Sequence, residues 1–208
     1  MDAPSWIAAL LGAYLLGAVP FGFLIVRLAS GRDVRQSGSG NIGATNVLRT
    51  AGPGLGILTL ALDAAKGAAA VLLARAFLPP EGAGPWMAGL AAVLGHIFPL
   101  FLRFRGGKGV ATCLGVLLVL SPLAVLPCLT LFVLVVLLGR LVSAGSIAAA
   151  LALPPAAWWL DGVSGVPLAA AAACSAAVVW SHRQNIARIL RGEEHRLGDR
   201  RNGRRRGT

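Results

Sequence analysis

Charge is scarce in this sequence. Only 13% of its residues are Asp, Glu, Lys or Arg, well under the quarter or so of an ordinary soluble domain, while 56% are hydrophobic and mean hydropathy is +0.75. Acidic residues are scarcer still, eight in 208, with no Asp pair placed to hold a magnesium ion. That argues against a nucleotide hydrolase and against a metal-dependent alcohol phosphotransferase, and no metal or cofactor is expected. The three cysteines, Cys113, Cys128 and Cys174, lie in apolar runs at spacings that fit no metal site, so buried, reduced thiols are expected. The N-terminus lacks a basic n-region and its apolar run is too long for a signal peptide, so a retained first helix is expected.

Apolar runs of membrane-spanning length fill the chain, which reads as an all-α polytopic membrane protein. The net charge of +11 is no sign of nucleic-acid binding. Nine of the nineteen basic residues fall between Arg183 and Arg206 and most others in two short loops, the pattern of cytoplasmic segments. Helices are expected over about Pro4–Ala29, bent near Pro20, Gly52–Leu78, Pro85–Phe98, Ser146–Leu160 and Val166–Trp180. Val110–Leu138 is either one tilted helix or two hinged near Pro122 and Pro127. Two helices bring the total to seven, put the N-terminus outside and put the Arg-rich tail in the cytoplasm, satisfying the charge rule throughout. One domain, 1–197, is expected, followed by a disordered tail, 198–208.

Three polar clusters interrupt the apolar runs. The first, Ser37–Arg49, is rich in small residues, and its backbone can turn several amides toward one point. Ser37, Gly38, Ser39, Gly40, Asn41, Thr45 and Asn46 offer neutral donors or close backbone approach, and Arg49 a cationic fork. The second, Phe104–Thr112, holds Gly106, Gly107, Lys108, Gly109 and Thr112. The third, His182–Glu194, holds His182, Arg183, Asn185 and Glu194. Arg183, Arg188 and Arg191 are expected to face solvent or lipid phosphate, and His195 to be solvated. All three clusters fall on the cytoplasmic side, which makes an anion site at a membrane surface. Asp63 and Lys66, one turn apart in an apolar helix, read as an ion pair that fixes packing, with support of the site from beneath as the alternative. His96 is open between packing and site support.

Several look-alike motifs fail. Gly38, Gly40 and Gly43 match a dinucleotide fingerprint but follow no strand. Lys108 is followed by Gly109 where a phosphate-binding P-loop needs Ser or Thr. No Asp stands five residues after any of the three histidines, so the His-x-x-x-x-Asp acyltransferase motif is absent. A phosphate or organophosphate transporter is the rival reading, but the chain shows no convincing internal repeat and its polar clusters sit at one face.

The segments Gly38–Arg49, Gly95–Pro99 with Phe104–Thr112, and His182–Ile189 with Gly192 and Glu194 resemble the three motifs of the bacterial acyl-phosphate:glycerol-3-phosphate acyltransferases, the PlsY family. The likeness extends over nearly the whole chain, including Leu62–Gly67. Departures are Arg105 where Lys is common, Ile189 where Leu is common, and a longer Arg-rich tail. The resemblance implies a seven-helix enzyme of the bacterial inner membrane, monomeric, with its site facing the cytoplasm. Such an enzyme moves a fatty acyl chain from acyl phosphate to the sn-1 hydroxyl of glycerol 3-phosphate. It implies Ser39, Arg49, Lys108, His182 and Asn185 as catalytic. Arg49 and Lys108 would hold phosphate, and His182 or a substrate phosphate would take the hydroxyl proton.

Overall fold

A computed structural model describes residues 3–198; of the tail set apart in the sequence, residues 199–208 lie outside the described residues. Among those described, every regular element is helical. The first apolar run is broken into α1 (Ala3–Ala18) and α2 (Phe21–Ser30), because Pro20 brings no backbone donor to the helical ladder. Gly31, left-handed at φ 69°, ends α2 by donating its N–H to Arg27 O.

The first polar cluster was expected to be a loop. Its second half is instead a helix, α3 (Ala44–Ala51). Its apolar anchor is Val47, which is fully buried beside Val26, Val34, Ile42 and Leu102, so packing overrides the weak helix preference of Thr and Asn. Then come α4 (Pro53–Phe77), α5 (Ala83–Ile97) and α6 (Val110–Leu120), followed by α7 (Pro122–Gly139), α8 (Val142–Leu160), α9 (Gly165–Ser181) and α10 (Arg183–Leu190).

The ambiguous run is thus two helices, and the break falls at Ser121, not at Pro127, which stays inside α7. Pro122 occupies the first helical position, where a missing N–H is harmless. Asp161, at the far end of α8, pins the corner. Its carboxylate accepts from Ser121 Oγ (2.6 Å), Ala124 N (2.8 Å) and Leu123 N (3.3 Å), capping the free amides of α7.

Among the described residues, five helical stretches are long and apolar enough to cross a membrane, or six if the pair α9–α10, bent by 53°, counts as one. Helix α6 is shorter, about 16 Å at 1.5 Å per residue. Many large apolar side chains face outward, among them Leu28, Leu137 and Leu138, as lipid contact requires. Inside, small residues let backbones approach: a Cβ on Gly115 of α6 would collide with Ala64 O of α4, and one on Gly67 of α4 with Thr112 O of α6. Helix α6 therefore lies tightly along α4, while α7 lies along α8, and an apolar cavity separates α6 from α7 below their shared corner.

Candidate active site

Each polar cluster is built by local chemistry before it meets the others. In the first, the side chain of Asn46 organises the loop ahead of it. Its Nδ2 donates to Asn41 O (2.7 Å), Ser37 O (3.1 Å) and Val34 O (3.2 Å), and its Oδ1 accepts from Ser39 N (2.9 Å). Gly38 takes φ 63° against this amide, and a Cβ there would collide with Asn46 Oδ1. Asn41 Oδ1 accepts from Gly43 N (2.8 Å) at the start of α3, while its Nδ2 donates to Gly106 O (3.3 Å) in the second cluster. Thr45 and Arg49, one turn apart on α3, are left to line the cavity.

The second cluster is zipped onto the end of α5. Gly106 N donates to Ile97 O (3.2 Å) and Gly107 N to His96 O (3.0 Å). Neither glycine has room for a Cβ, which would strike His96 O or His96 Nε2. Gly109, at φ 80°, opens α6, and the first residues of that helix, Val110 and Ala111, line the cavity. Free amides at a helix start favour an anion.

In the third cluster, His182 sits at the bend between α9 and α10 and is 1% exposed. Its Nδ1 lies 2.8 Å from Val178 O, a pure acceptor, so Nδ1 carries the proton and Nε2 of the neutral ring keeps a lone pair. Asn185 joins clusters two and three: its Oδ1 accepts from Lys108 Nζ (2.6 Å), and its Nδ2 donates to Glu194 Oε1 (2.6 Å). Glu194 also accepts from Ser143 Oγ (2.8 Å) and Arg188 Nε (2.7 Å). Burial pushes this carboxyl up, but the hydrogen bonds from Asn185, Ser143 and Arg188 outweigh it and hold Glu194 below its ordinary range. Burial takes the Lys108 ammonium down to about 8, opposed by Glu194 and reinforced by Arg188 and Arg49.

The chain's last described residues reach back to the first cluster and to the turn between α7 and α8. Arg49 reaches His195 O at 3.5 Å, and Leu197 N donates to Arg140 O at 2.7 Å. The cavity beneath, about 150 Å³, brings together Ser39, Asn41, Thr45, Asn46, Arg49, Lys108, Gly109, His182, Asn185 and Glu194. It does not take in Ser37, Gly38, Gly40, Gly106 or Gly107, which shape the two loops around it. Thr112 is fully buried against α4, and Arg183 lies outside, its guanidinium 3.9 Å above the Trp180 ring.

Four polar side chains of the lining, Ser143, Ser146, Arg188 and His195, were not anticipated as site residues. Ser143 and Ser146 come from α8, one turn apart in an otherwise apolar run, which is a legible signal. Arg188 was expected to face solvent or lipid, but it pairs with Glu194 at 2.7 Å and lines the cavity. His195 stands at the mouth. Asp63, read in the sequence as half of a packing ion pair, and His96, open there between packing and site support, line the wall as well. Among the described residues no three His, Cys, Asp or Glu side chains are grouped to hold a metal ion.

The apolar cavity between α6 and α7, about 210 Å³, shares Leu60, Val110, Ala111, Phe132 and Ser146 with the polar one. The site is therefore a cationic, hydrogen-bonding chamber that runs into a greasy slot. Such a shape suits a molecule with a phosphate at one end and hydrocarbon at the other.

Comparison with known proteins agrees. The model of the family described as glycerol-3-phosphate acyltransferase matches residues 7–192. The glycerol-3-phosphate acyltransferase of Syntrophotalea carbinolica is 48% identical over 193 residues, covering 93% of this chain and 98% of that one. That of Myxococcus xanthus is 49% identical over 191 residues, 91% and 98% of the two chains. The crystal structure of PlsY (YgiH), an integral membrane glycerol 3-phosphate acyltransferase, in its glycerol 3-phosphate form superposes with a TM-score of 0.86 at 40% identity. It covers 93% of this chain and 96% of that one. The form with lysophosphatidic acid gives 0.80 at 39% identity over the same shares. This chain is an integral, multi-pass membrane protein and belongs to the glycerol-3-phosphate acyltransferase family, that of PlsY.

Proposed function

We propose that this protein transfers a fatty acyl chain from acyl phosphate to the sn-1 hydroxyl of glycerol 3-phosphate, releasing lysophosphatidic acid and phosphate. The observation that carries the reading is the continuity of the two cavities through Val110 and Ala111 at the start of α6. An acyl phosphate has its reacting carbonyl at the junction of phosphate and hydrocarbon. Lying across this junction, it puts the phosphate beside Lys108 and the first amides of α6, and the chain between α6 and α7.

The leaving group of a mixed anhydride is already good, so the protein's work is orientation and charge neutralisation. Arg49 and Lys108 hold the phosphates, with Ser39 and Thr45 as neutral donors. Asn185 and His182 orient the glycerol hydroxyl. Its oxygen bonds to the acyl carbon, and the bond from that carbon to the phosphate oxygen breaks with its electron pair. The proton passes to His182 Nε2 or to the departing phosphate itself. Arg188 and Ser143 act by fixing Glu194, which in turn holds Asn185. No cofactor enters the step.

The apolar slot is somewhat larger than an apolar cavity of about 150 Å³ that takes up benzene, so it holds about eight carbons. The rest of a long chain leaves past Leu129, which faces outward.

Seven membrane crossings, with α1 and α2 forming one and α6 a short one, put the N-terminus outside and the site in the cytoplasm. The basic residues gathered at the site's end support this orientation. Every group the reaction needs comes from one chain, so a monomer suffices.

The test is purified protein with palmitoyl phosphate and glycerol 3-phosphate. Phosphate and palmitoyl-glycerol phosphate should appear in equal amounts. Release of phosphate without acylated product, or no reaction, overturns the proposal.

A further inference from the structure

Beneath the phosphate chamber lies a set of buried ionisable groups that the mechanism above does not use. Asp63, Lys66 and His96 are 2%, 3% and 3% exposed. Lys66 Nζ sits 2.9 Å from Asp63 Oδ1 and donates to Val19 O (2.7 Å) at the break between α1 and α2. His96 Nδ1 lies 3.5 Å from the same Asp63 oxygen, a contact too long for a sound hydrogen bond. His96 Nδ1 is buried with no hydrogen-bond partner among the described residues, while Asp63 Oδ1 has the Lys66 ammonium as its ionic partner. An unsatisfied ring nitrogen at this depth is costly, which makes a purely packing role a poor account of His96.

The other face of the His96 ring leads to the chemistry. Its Nε2 lies so close to Gly107 that a Cβ there would collide with it, and His96 O accepts from Gly107 N at 3.0 Å. The next residue is Lys108. Asp63 and His96 also line the cavity themselves. A chain of contact thus runs from the α1–α2 break through Lys66, Asp63 and His96 to the loop that carries the phosphate-binding ammonium.

We propose that Asp63 and His96 are positioning residues for Lys108: the carboxylate sets the imidazole, and the imidazole, wedged under Gly107, sets where the ammonium meets substrate phosphate. This rests on the proposed acyl transfer from acyl phosphate. The slack in the Asp63–His96 contact has a use under this assignment. A shift of roughly half an ångström turns it into a hydrogen bond near the ordinary 2.9–3.0 Å, so loading of Lys108 by phosphate and completion of the pair favour each other. Charge near Lys108 comes from Glu194, Arg188, Arg49 and the titratable ring of His182, and none of these touches the Asp63 pair.

The experiment compares full-length wild type with His96→Ala, His96→Asn and Asp63→Asn, in detergent, by initial rates, by calorimetric binding of glycerol 3-phosphate, and by thermal unfolding. His96→Asn keeps a donor near the Nδ1 position, and Asp63→Asn keeps shape while removing charge. Expected are a rise of tenfold or more in KM for glycerol 3-phosphate and in its Kd for His96→Ala, with kcat changed less than KM. The basic limb of kcat/KM should move upward as Lys108 regains solvent, and His96→Asn should recover at least part of the loss. Asp63→Asn should move the same constants in the same direction. Should His96→Ala fail to fold, Asp63→Asn decides: kinetic constants and basic limb equal to wild type, with only the unfolding temperature lowered, overturn the assignment. If wild type itself binds glycerol 3-phosphate but turns over no acyl phosphate, the functional reading fails, and Kd in the variants still judges the positioning.

Discussion

Lys108 Nζ and Asn185 Oδ1 meet at 2.6 Å across 77 positions of sequence, and this contact closes the site. Lys108 rides on a loop fastened to α5, and Asn185 on the helix that follows the bend after α9. Behind Asn185, Glu194 gathers Ser143 and Arg188, so a single carboxylate ties α8, α10 and the chain beyond α10 into one frame. The arrangement makes Asn185 a relay: it presents its oxygen to the ammonium only because its nitrogen is held by Glu194.

Asn185→Ala should therefore affect more than one contact. A hydrogen bond to a charged group contributes about 1.5–3 kcal/mol, so kcat/KM should fall about 10- to 150-fold. Glu194→Gln weakens the same frame from behind and should produce a smaller loss in the same direction. Steady-state kinetics on both variants check this, and an Asn185→Ala enzyme as fast as wild type would remove the relay.

Activity should fall with rising pH on account of Lys108. Its ammonium titrates at about 8, so kcat/KM should decline about tenfold per pH unit above that point as the charge that attracts phosphate is lost. Glu194, held below its ordinary range, stays ionised across that window and adds no limb of its own. Lys108→Arg, which cannot deprotonate, should abolish the limb even if it lowers the rate.

His182→Ala should lower kcat about 100-fold or more while leaving KM for both substrates within a few-fold, if Nε2 takes the hydroxyl proton. A loss under tenfold would assign that proton to the departing phosphate. The measurement is a full kinetic comparison at a pH where Lys108 is charged.

Ala150→Phe probes the apolar slot. Ala150 lines its wall at 8% exposure, and a ring there fills the space that the donor's chain needs. With palmitoyl phosphate, kcat/KM should drop at least tenfold, while KM for glycerol 3-phosphate stays unchanged. An equal change in both would mean that the fold, not the slot, was disturbed.

The sequence alone determined the class of the protein, the order of its apolar runs and the three polar clusters. These follow from hydrophobicity, charge placement and glycine content, which act locally. Arg49, Lys108, His182 and Asn185 stood out by their place in those clusters, and the family resemblance implied their roles. For one run the sequence favoured two helices over one only through the charge rule. The tertiary structure places the break at Ser121, where Asp161 caps the corner from forty residues away. Likewise only the fold showed that Asn46 is spent on holding its own loop and that Arg183 turns outward to Trp180. The same holds for Arg188, which turns inward to Glu194. Residues 183 and 188 are the same type on one short helix, and which of them reaches the cavity depends on the 53° bend between α9 and α10. Composition says which groups a chain owns; a hydrogen bond needs a partner within about 3 Å, and distance between remote segments is fixed only when the helices pack.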